Sequence, residues 1–468
     1  MTISTKVEGN KPLGSSFRDP SGFLFERDGV LLRQVNQVYK AHYDHLVESG
    51  LYKALVRSKM LIPHSEYEDE WTASDTAYKV LKPEVIRFIS YPYEWCFSQL
   101  KDAALATLEI QKTAIKFGMC LKDASAYNIQ FTAGRPVLID TLSFEIYREG
   151  HPWTAYRQFC QHFLAPLALM SHTDIRLSQM LRVHLDGVPL DLVSSLLPLH
   201  THLRFGLFSH LHLHARSQTY FSGKRVSLKG RTVSNIALLG IIDSLESSIR
   251  GLKWCPKGTE WSEYYSAAKC PYSVEAMRQK KKTVSEYLER INPNSVWDLG
   301  ANDGVFSRLA SDRGMPTIAF DVDPAAVERN YLDCVSRGET NLLPLLIDLT
   351  NPSSDIGWGN EERMSLLKRA PVDMVMALAL LHHLAITNNV PLLRIAELLR
   401  RISDALIIEF VPKSDPQVAI LLKSRKDVFA DYSREAFEYE FGKFFVTLAV
   451  SETGASGRKL YLMQARYD

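Results

Sequence analysis

The last third of the chain alternates short apolar runs with stretches of helical periodicity. The apolar runs begin with SVWDLG at residue 295 and continue through TIAFDVD, LLPLLIDL, VDMVMALALL and DALIIEF to a terminal KLYLMQA. Continuous apolar runs of this length are typical of strands that are buried on both faces of a parallel sheet. With a further helix predicted over 390–402, we expect a doubly wound α/β domain over residues 294–468.

The pattern before this domain is different. Residues 22–41 alternate around an acidic-basic turn and then become helical, and residues 93–117 have apolar positions at helical spacing, followed by Gly118 as a stop. Residues 150–250 are rich in leucine and mostly helical by pattern. We therefore predict an accessory domain of mixed α+β and helical structure over residues 21–250.

The remaining segments are predicted to be a leader and a connector. Residues 1–20 are polar and are expected to form a disordered leader. The polar run SGKRVSLKGRTVS places a domain boundary between residues 222 and 270. Apolar positions over 274–291 recur every third, fourth or seventh residue and predict an amphipathic helix. Residues 251–293 are therefore assigned to a connector and a lead-in helix.

Composition narrows the class of protein. The 468 residues suffice for two or three domains, and 55 Lys+Arg against 53 Asp+Glu give a net charge of +2, too little for a global field that attracts nucleic acid. The six cysteines form no CxxC pair, so neither a disulfide framework nor a metal site is predicted. No signal peptide core and no membrane span is apparent. We expect a cytoplasmic protein without a nucleic-acid partner.

The chemistry-bearing motif follows the first strand of the predicted α/β domain. Residues 295–299 run into the turn Gly300-Ala301-Asn302-Asp303-Gly304 and then into a helix, an arrangement in which the backbone passes close to a ligand. Asp321 ends the next strand, where a carboxylate can accept hydrogen bonds from both ribose hydroxyls of a nucleoside. Asp348 ends the third apolar run and is placed to receive an adenine amino group. One nucleoside is therefore predicted across these strand ends.

A fourth apolar run ends in Leu-Leu-His-His-Leu over residues 380–384, beside the space expected for the reactive end of the ligand. His382 and His383 are the candidate catalytic residues, because an imidazole can take the proton of a hydroxyl acceptor near neutral pH. The alternative is that one of these histidines caps or packs the strand end.

The succession DLGANDGVFS, AFDVDP, IDL and ALALLHHL resembles that of class I S-adenosylmethionine-dependent methyltransferases over about 175 residues. The resemblance implies a Rossmann-like sheet and S-adenosyl-L-methionine as cofactor. It assigns the cofactor-binding residues as follows: Asp298, Gly300 and Gly304 at the methionine end, Asp321 at the ribose and Asp348 at the adenine. Asn302, also in the predicted site, stands where many such turns have a middle glycine. A degenerate binding fold without turnover is the alternative.

The acceptor is less closely defined. Methyl transfer is an in-line displacement at an activated sulfonium, so orientation supplies much of the acceleration. The absence of an Asn-Pro-Pro-Tyr type sequence after the fourth strand disfavours the amino-methylating enzymes of nucleic acids and glutamine. A small-molecule or glycan-type acceptor is therefore expected.

A second constellation lies in the accessory domain. Asp123, Asn128 and Asp140 have the order and spacing that a base and two magnesium ligands require, and the segment LKDASAYNIQF resembles the catalytic loop of kinase-like phosphotransferases. Leu121 stands where that family has a histidine, and no Gly-rich phosphate loop is apparent upstream. Local backbone capping by Asp123 and Asn128 is the default interpretation.

Three further groups are interpreted as structural. The histidines of the HLHLH run, His210, His212 and His214, are expected on a polar helix or strand face without a metal ion. The RQKKK run over 278–282 is expected to be the solvated face of the lead-in helix. Glu409 and the aromatic side chains of residues 437–445 are expected in the core rather than in an acceptor pocket.

Over its full length, including FRDPSGFLFERDGVLLRQV and LKDASAYNIQF, the sequence resembles the NoeA family of rhizobial host-specific nodulation proteins. This resemblance implies a role in nodulation, in decoration or export of the lipo-chitooligosaccharide signal. Three functions stay open: a methyltransferase, a non-enzymatic binding factor with degenerate nucleotide-binding folds, and a magnesium-dependent phosphotransferase in the N-terminal half.

Overall fold

The computed structural model divides into two compact units. The first unit comprises Met1–Trp254 together with Asp355–Arg363, and the second comprises Cys255–Ser354 together with Met364–Asp468. The structure describes residues 12–67, 76–216, 233–256, 273–423, 428–429, 431–453 and 457–467. Most of the predicted boundary run, and parts of the predicted leader and connector, lie outside these residues.

A four-stranded antiparallel sheet begins the first unit. Its strands, in the order β1-β2-β4-β3, are β1 (Gly22–Arg27), β2 (Val30–Asn36), β3 (His64–Glu66) and β4 (Ala77–Pro83). The turn predicted within residues 22–41 joins β1 to β2, which pair antiparallel with Gly22 of β1 opposite Val35 of β2. The Leu13 N–H donates to the Leu24 carbonyl at 2.8 Å, so the described end of the expected leader is held against β1.

Helices make up most of the rest of the first unit. They are α1 (Lys40–Glu48), α2 (Leu51–Arg57), α3 (Phe97–Lys116), α4 (Tyr156–Phe159), α5 (Ala165–His172), α6 (Met180–Val183), α7 (Leu190–Leu196), α8 (Phe205–Leu207) and α9 (Asn235–Gly251). The predicted helix before Gly118 is confirmed as α3. Its apolar side chains are buried because they recur on one face, as Leu100, Ala104 and Leu108 do.

Two short hairpin-like sheets follow α3. Strand β5 (Met119–Leu121) pairs with β8 (Phe144–Ile146), and β6 (Ile129–Thr132) pairs with β7 (Arg135–Leu138), both antiparallel. The loop from β5 to β6 carries Asp123 and Asn128, and Asp140 follows β7. The three residues of the second constellation therefore lie on loops between these strands.

The second unit contains a seven-stranded sheet in the order β11-β10-β9-β12-β13-β15-β14. The strands are β9 (Val296–Leu299), β10 (Thr317–Asp321), β11 (Leu342–Leu346), β12 (Val372–Ala377), β13 (Ser403–Phe410), β14 (Phe445–Glu452) and β15 (Lys459–Ala465). Strands β9 to β13 pair in parallel, whereas β15 is antiparallel to both β13 and β14. The predicted doubly wound α/β fold with a Rossmann-like sheet is confirmed.

Helices connect the strands of the second unit. They are α10 (Val274–Ile291), α11 (Ser307–Ser311), α12 (Pro324–Arg337), α13 (Leu392–Ile402), α14 (Pro416–Lys423) and α15 (Arg434–Gly442). Helix α10 is the predicted amphipathic lead-in helix. It begins where the Ser273 hydroxyl accepts the Ala276 N–H, and it ends at Asn292 in a left-handed conformation. Within the described ranges, none of the helices combines the length and apolarity needed to cross a lipid bilayer.

Candidate functional site

A cleft lies at the carboxyl ends of β9, β10, β11 and β12. Its cavity volume is about 240 Å³. The chain order along the sheet reverses between β9 and β12, which is where open α/β sheets bind ligands. Five of the eight residues predicted for the site line this cleft: Gly300, Asn302, Asp321, Asp348 and His383. The other three, Asp298, Gly304 and His382, are not part of its lining.

The turn after β9 requires its two glycines for different reasons. Gly300 has φ +75° and lines the cleft, where a Cβ would lie 3.3 Å from a methyl group of Leu380. Gly304 has φ +78° and packs behind the turn, where a Cβ would lie 2.5 Å from the side-chain oxygen of Asn330. Asn302 has φ +52°, a conformation that asparagine tolerates better than most residues. The turn therefore exposes backbone to the cleft while Gly304 keeps it closely packed.

Asp321 holds two loops together at the end of β10. Its Oδ2 accepts the Asn302 N–H at 2.7 Å, and its Oδ1 accepts the Asp323 N–H at 2.9 Å. Burial raises the pKa of Asp321 to about 6, so it is largely ionised at neutral pH. An ionised carboxylate has about four acceptor positions, so beyond the backbone N–H groups of Asn302, Asp323 and Val322 it can still accept from a donor in the cleft.

Asp348 lies exposed in the cleft, two residues beyond β11. Its Oδ1 accepts the backbone N–H of Thr350 at 2.8 Å and the Thr350 hydroxyl at 2.6 Å. Both bonds go to Oδ1, so they fix the orientation of the side chain without using Oδ2. Asp348 and Asp321 thus present acceptors from two neighbouring strand ends.

Asp298 is placed differently from what its sequence position implied. Its side chain is only 2% exposed, and its Oδ2 accepts the Ser307 hydroxyl at 2.6 Å. Burial raises the pKa of Asp298 to about 7. The residue therefore ties β9 to α11 and lies outside the lining of the cleft, and its expected contact with the methionine end of the cofactor stays a prediction.

The two histidines after β12 lie with their ring centroids 4.1 Å apart, but only His383 lines the cleft. His382 is 2% exposed, and its Nδ1 has no hydrogen-bond partner among the described residues. Burial, together with the nearby charge of Arg458, lowers the pKa of His383 to about 4, and burial lowers the pKa of His382 well below its ordinary value. Both imidazoles are therefore neutral at neutral pH, and His383 can reach a ligand.

The RQKKK run was expected to be a solvated face. This expectation is wrong for Lys280, the central residue of the run. Lys280 is fully buried, and its Nζ lies 2.7 Å from Oε2 of Glu409 and 4.8 Å from the centre of the Phe306 ring. The signal was available in the sequence, because Lys280 precedes Val284 by four residues and so shares its apolar face. Glu409 is accordingly held by this pair within the core, as its core interpretation required.

Further core features surround this pair. The aromatic side chains of Phe437, Phe441 and Phe445 are buried as expected, whereas Tyr439 is exposed. A second buried ion pair, missed from the sequence, joins Arg458 Nε to Asp415 Oδ2 at 2.7 Å, with both side chains 2% exposed. Its partners lie 43 residues apart, so no local pattern announces it.

The second constellation also comes together, but its charges are satisfied internally. Asp140 forms an ion pair with Arg33 of β2 and accepts the hydroxyl of Ser143. Asn128 donates to the same hydroxyl at 3.4 Å. Burial, followed by the charge of Asp140, raises the pKa of Asp123. Among the described residues, no group of three or more His, Cys, Asp or Glu side chains could hold a metal ion.

The histidine run departs from the expected polar face. His210 and His212 are buried in a π-helical turn, Phe208–Leu213, and each contacts hydroxyl groups. His210 Nδ1 lies 2.7 Å from the Tyr156 hydroxyl, and His212 Nε2 lies 2.9 Å from the Thr201 hydroxyl. These histidines therefore join helices of the first unit.

No family model matches the chain. Solved structures with partial similarity include the bifunctional kinase-methyltransferase WbdD, at 14% identity and a TM-score of 0.31, covering 44% of this chain and 43% of that one. Another is magnesium protoporphyrin IX methyltransferase from Synechocystis PCC 6803 with bound SAH, at 15% identity and a TM-score of 0.31, covering 41% of this chain and 84% of that one. These TM-scores are too low to support a statement about function.

A full-length relative gives a firmer assignment. Nodulation protein NoeA of Rhizobium meliloti (strain 1021) is 36% identical over 433 residues, which cover 91% of this chain and 90% of that protein. An alignment of this length includes most of both units. The chain therefore belongs to the NoeA family of nodulation proteins.

Proposed function

We propose that the protein is an S-adenosyl-L-methionine-dependent methyltransferase that acts on a small-molecule or glycan-type acceptor. The observation that carries this proposal is the convergence of four strand ends on one cleft, with Gly300, Asp321, Asp348 and His383 in its wall. The name of the NoeA relative supports a place for the reaction in nodulation. Modification of an oligosaccharide signal molecule is the form of that role we favour.

The acceptor groups in the cleft fit an adenosyl ligand. Asp321 retains carboxylate lone pairs for ribose hydroxyls, and Asp348 presents its carboxylate where an exocyclic amino group can donate to it. Gly300 has a positive φ and no side chain, so the backbone of the turn can lie close to the ligand. Bound cofactor supplies a methyl group already activated on a sulfonium, so the chain has mainly to orient the acceptor.

His383 is the group best placed to act on the acceptor. Burial lowers its pKa, so the ring is unprotonated at neutral pH but is a weaker base than an ordinary histidine. It is proposed to accept the proton of a hydroxyl acceptor as the methyl group is transferred. Leu380 and Leu384 line the cleft beside it and exclude water from that end. His382 packs behind His383 and is proposed to position its ring rather than to contact the substrate.

The other functions are less well supported. A phosphotransferase in the first unit would need Asp140 as a magnesium ligand, and its ion pair with Arg33 counts against that role. A non-enzymatic binding factor would need the cleft only as a docking site, and it remains the competing proposal. Turnover separates this alternative from the methyltransferase.

Calorimetry on the full chain with S-adenosylmethionine and S-adenosylhomocysteine tests cofactor binding. We expect one binding site and a loss of affinity of more than about a hundredfold in Gly304→Arg, because the new side chain has no space beside Asn330. Gly314→Arg is the matched control, since Gly314 also has a positive φ but nothing lies within 4 Å of its Cβ position. Equal affinity in the two variants, or no binding by the wild type, would contradict the proposal.

Transfer of a labelled methyl group to cell extract or to chito-oligosaccharides tests turnover. If the acceptor is a hydroxyl, His383→Ala should lower kcat by about 10²- to 10⁴-fold while the cofactor Kd stays within about twofold. Cofactor binding without any transferred label would favour the non-enzymatic alternative.

A further inference from the structure

The first unit carries an exposed apolar rim on a single short segment. Leu199, Leu203 and Phe205, which we call the apolar rim, are 85%, 90% and 79% exposed. Single exposed leucines are common on protein surfaces. Three large apolar side chains that are this exposed within seven residues indicate an interaction surface.

The fold holds this rim outward. Thr201, in the middle of the segment, is fully buried, and its hydroxyl lies 2.9 Å from Nε2 of the buried His212. Leu207, just beyond the rim, is also buried. Because residues on the inner side are anchored, the rim side chains cannot turn inward without breaking this contact. Their exposure is therefore built into the local structure.

The charged side chains of the segment that carries the rim are of one sign. Residues 192–216 include no Asp or Glu, and their permanently charged side chains are Arg204 and Arg216, because burial lowers the pKa of His210, His212 and His214. Arg204 lies within the rim segment and is exposed, as is His200. A net charge of +2 for the whole chain thus conceals a local basic region.

We propose that the apolar rim docks the protein on the surface of an anionic lipid bilayer. Leu199, Leu203 and Phe205 would enter the boundary between head groups and acyl chains, while Arg204 would contact lipid phosphates. Nucleic acid is a poorer fit, because single-stranded binding surfaces rely on several aromatic side chains for base stacking and two of the three rim residues are leucines. The combination of exposed leucines with basic residues and no acidic ones matches a membrane interface.

Co-sedimentation of the full chain with vesicles tests this proposal. The two vesicle types are pure phosphatidylcholine and phosphatidylcholine with one third phosphatidylglycerol. We expect binding to the anionic vesicles, about tenfold weaker binding to the neutral ones, and weakening as salt is raised. Absence of binding to anionic vesicles, or equal binding to both types, would overturn the proposal.

Substitutions in the rim make the test specific. Leu199→Ser/Leu203→Ser/Phe205→Ser should lower anionic-vesicle binding by more than about tenfold, since it removes the inserting groups. The matched control is Val274→Ser, which changes a side chain that is 90% exposed in the second unit and should bind like the wild type.

A second variant guards against loss of folding in the first. Arg204→Glu keeps the apolar side chains and should lower binding to anionic vesicles while leaving binding to neutral vesicles unchanged. Wild-type binding by the triple variant, or a rim that instead mediates self-association or DNA binding in the absence of vesicle binding, would refute a membrane-docking role.

Discussion

In the first unit, the loop carboxylate of Asp140 is paired with Arg33, whereas in the second unit the carboxylate of Asp321 accepts backbone N–H groups from the turn after β9 and from the loop after β10. Both aspartates were singled out because each follows an apolar strand. The first is neutralised by a cation from the neighbouring sheet, while the second lines the cleft. The two aspartates have similar sequence contexts. They differ in whether a cation lies next to the carboxylate.

The second unit has buried cations as well, but it pairs them behind the cleft. Lys280 is held by Glu409 and Arg458 by Asp415, and none of these four side chains lines the cleft. Buried ion pairs add little net stability, yet removing one partner leaves an uncompensated charge. The comparison thus suggests that internal pairing in the second unit supports the core and leaves the strand-end carboxylates available for a ligand.

The largest expected effect is on the buried pair of the second unit. Lys280→Met should lower the free energy of unfolding by about 3–5 kcal/mol, because Glu409 is left buried without its cation. Urea denaturation of the full chain measures this change. The folded fraction should keep its cofactor affinity within about twofold, since Lys280 is not part of the cleft lining.

The double variant Lys280→Met/Glu409→Leu is the matched control. Replacing both charges by apolar side chains should recover most of the lost stability. If the single variant were as stable as the double variant, an unpaired Glu409 would not destabilise the core, and the prediction would be wrong. A large loss of cofactor affinity in either variant would place the pair in the site and remove the contrast between the two units.

A smaller effect is expected at the two strand-end aspartates themselves. Asp321→Asn should weaken S-adenosylmethionine binding by about ten- to a hundredfold, because hydrogen bonds to a charged acceptor are worth about 1.5–3 kcal/mol. Asp140→Asn, the same substitution in the first unit, should change the affinity by less than about twofold. Calorimetry on both variants gives the comparison directly, and an equal loss in both would mean that Asp140 also takes part in cofactor binding.

The sequence was informative where one physical pattern decided the structure. The apolar runs ending at Asp321 and Asp348 predicted both the parallel strands and the cleft edge, because carboxyl ends of parallel strands lie at one edge of a sheet. Strand β14 was not predicted, since it is an edge strand whose side chains are mostly exposed or half-buried. Its apolar signal is correspondingly weak.

Side-chain orientation was the harder part of the site. Lys280 was assigned to solvent from its charge, although its spacing from Val284 placed it on the buried face. Asp298 was assigned to the ligand from its position before the turn, but the Ser307 hydroxyl draws its carboxylate beneath the turn. Arg33 and Asp140 are 107 positions apart, so only the folded chain shows that they pair. Local sequence patterns do not predict ion pairs between residues that are far apart in the chain.

The smallest predicted effect concerns Asp298, the buried carboxylate of the second unit whose hydrogen bond comes from a neutral hydroxyl rather than from a cation. Burial raises its pKa to about 7 from an ordinary value of about 3.9, so the folded state binds the proton more tightly than the unfolded state. The stability this contributes is fully present at low pH and is lost as pH rises through 7. Between pH 6 and pH 8, the wild type should lose about 1 kcal/mol of stability through this group.

Asp298→Asn removes the titrating group, so its stability relative to the wild type should rise by about 1 kcal/mol between pH 6 and pH 8, measured by urea denaturation at pH 6, 7 and 8. Asp28→Asn is the control, because its side chain is 90% exposed in a turn of the first unit and asparagine accepts the left-handed backbone found there. That variant should follow the wild-type curve. A stability difference between Asp298→Asn and the wild type that stays constant from pH 6 to pH 8 would show that Asp298 does not titrate in this range, and the contrast with the cation-paired Asp140 would then disappear.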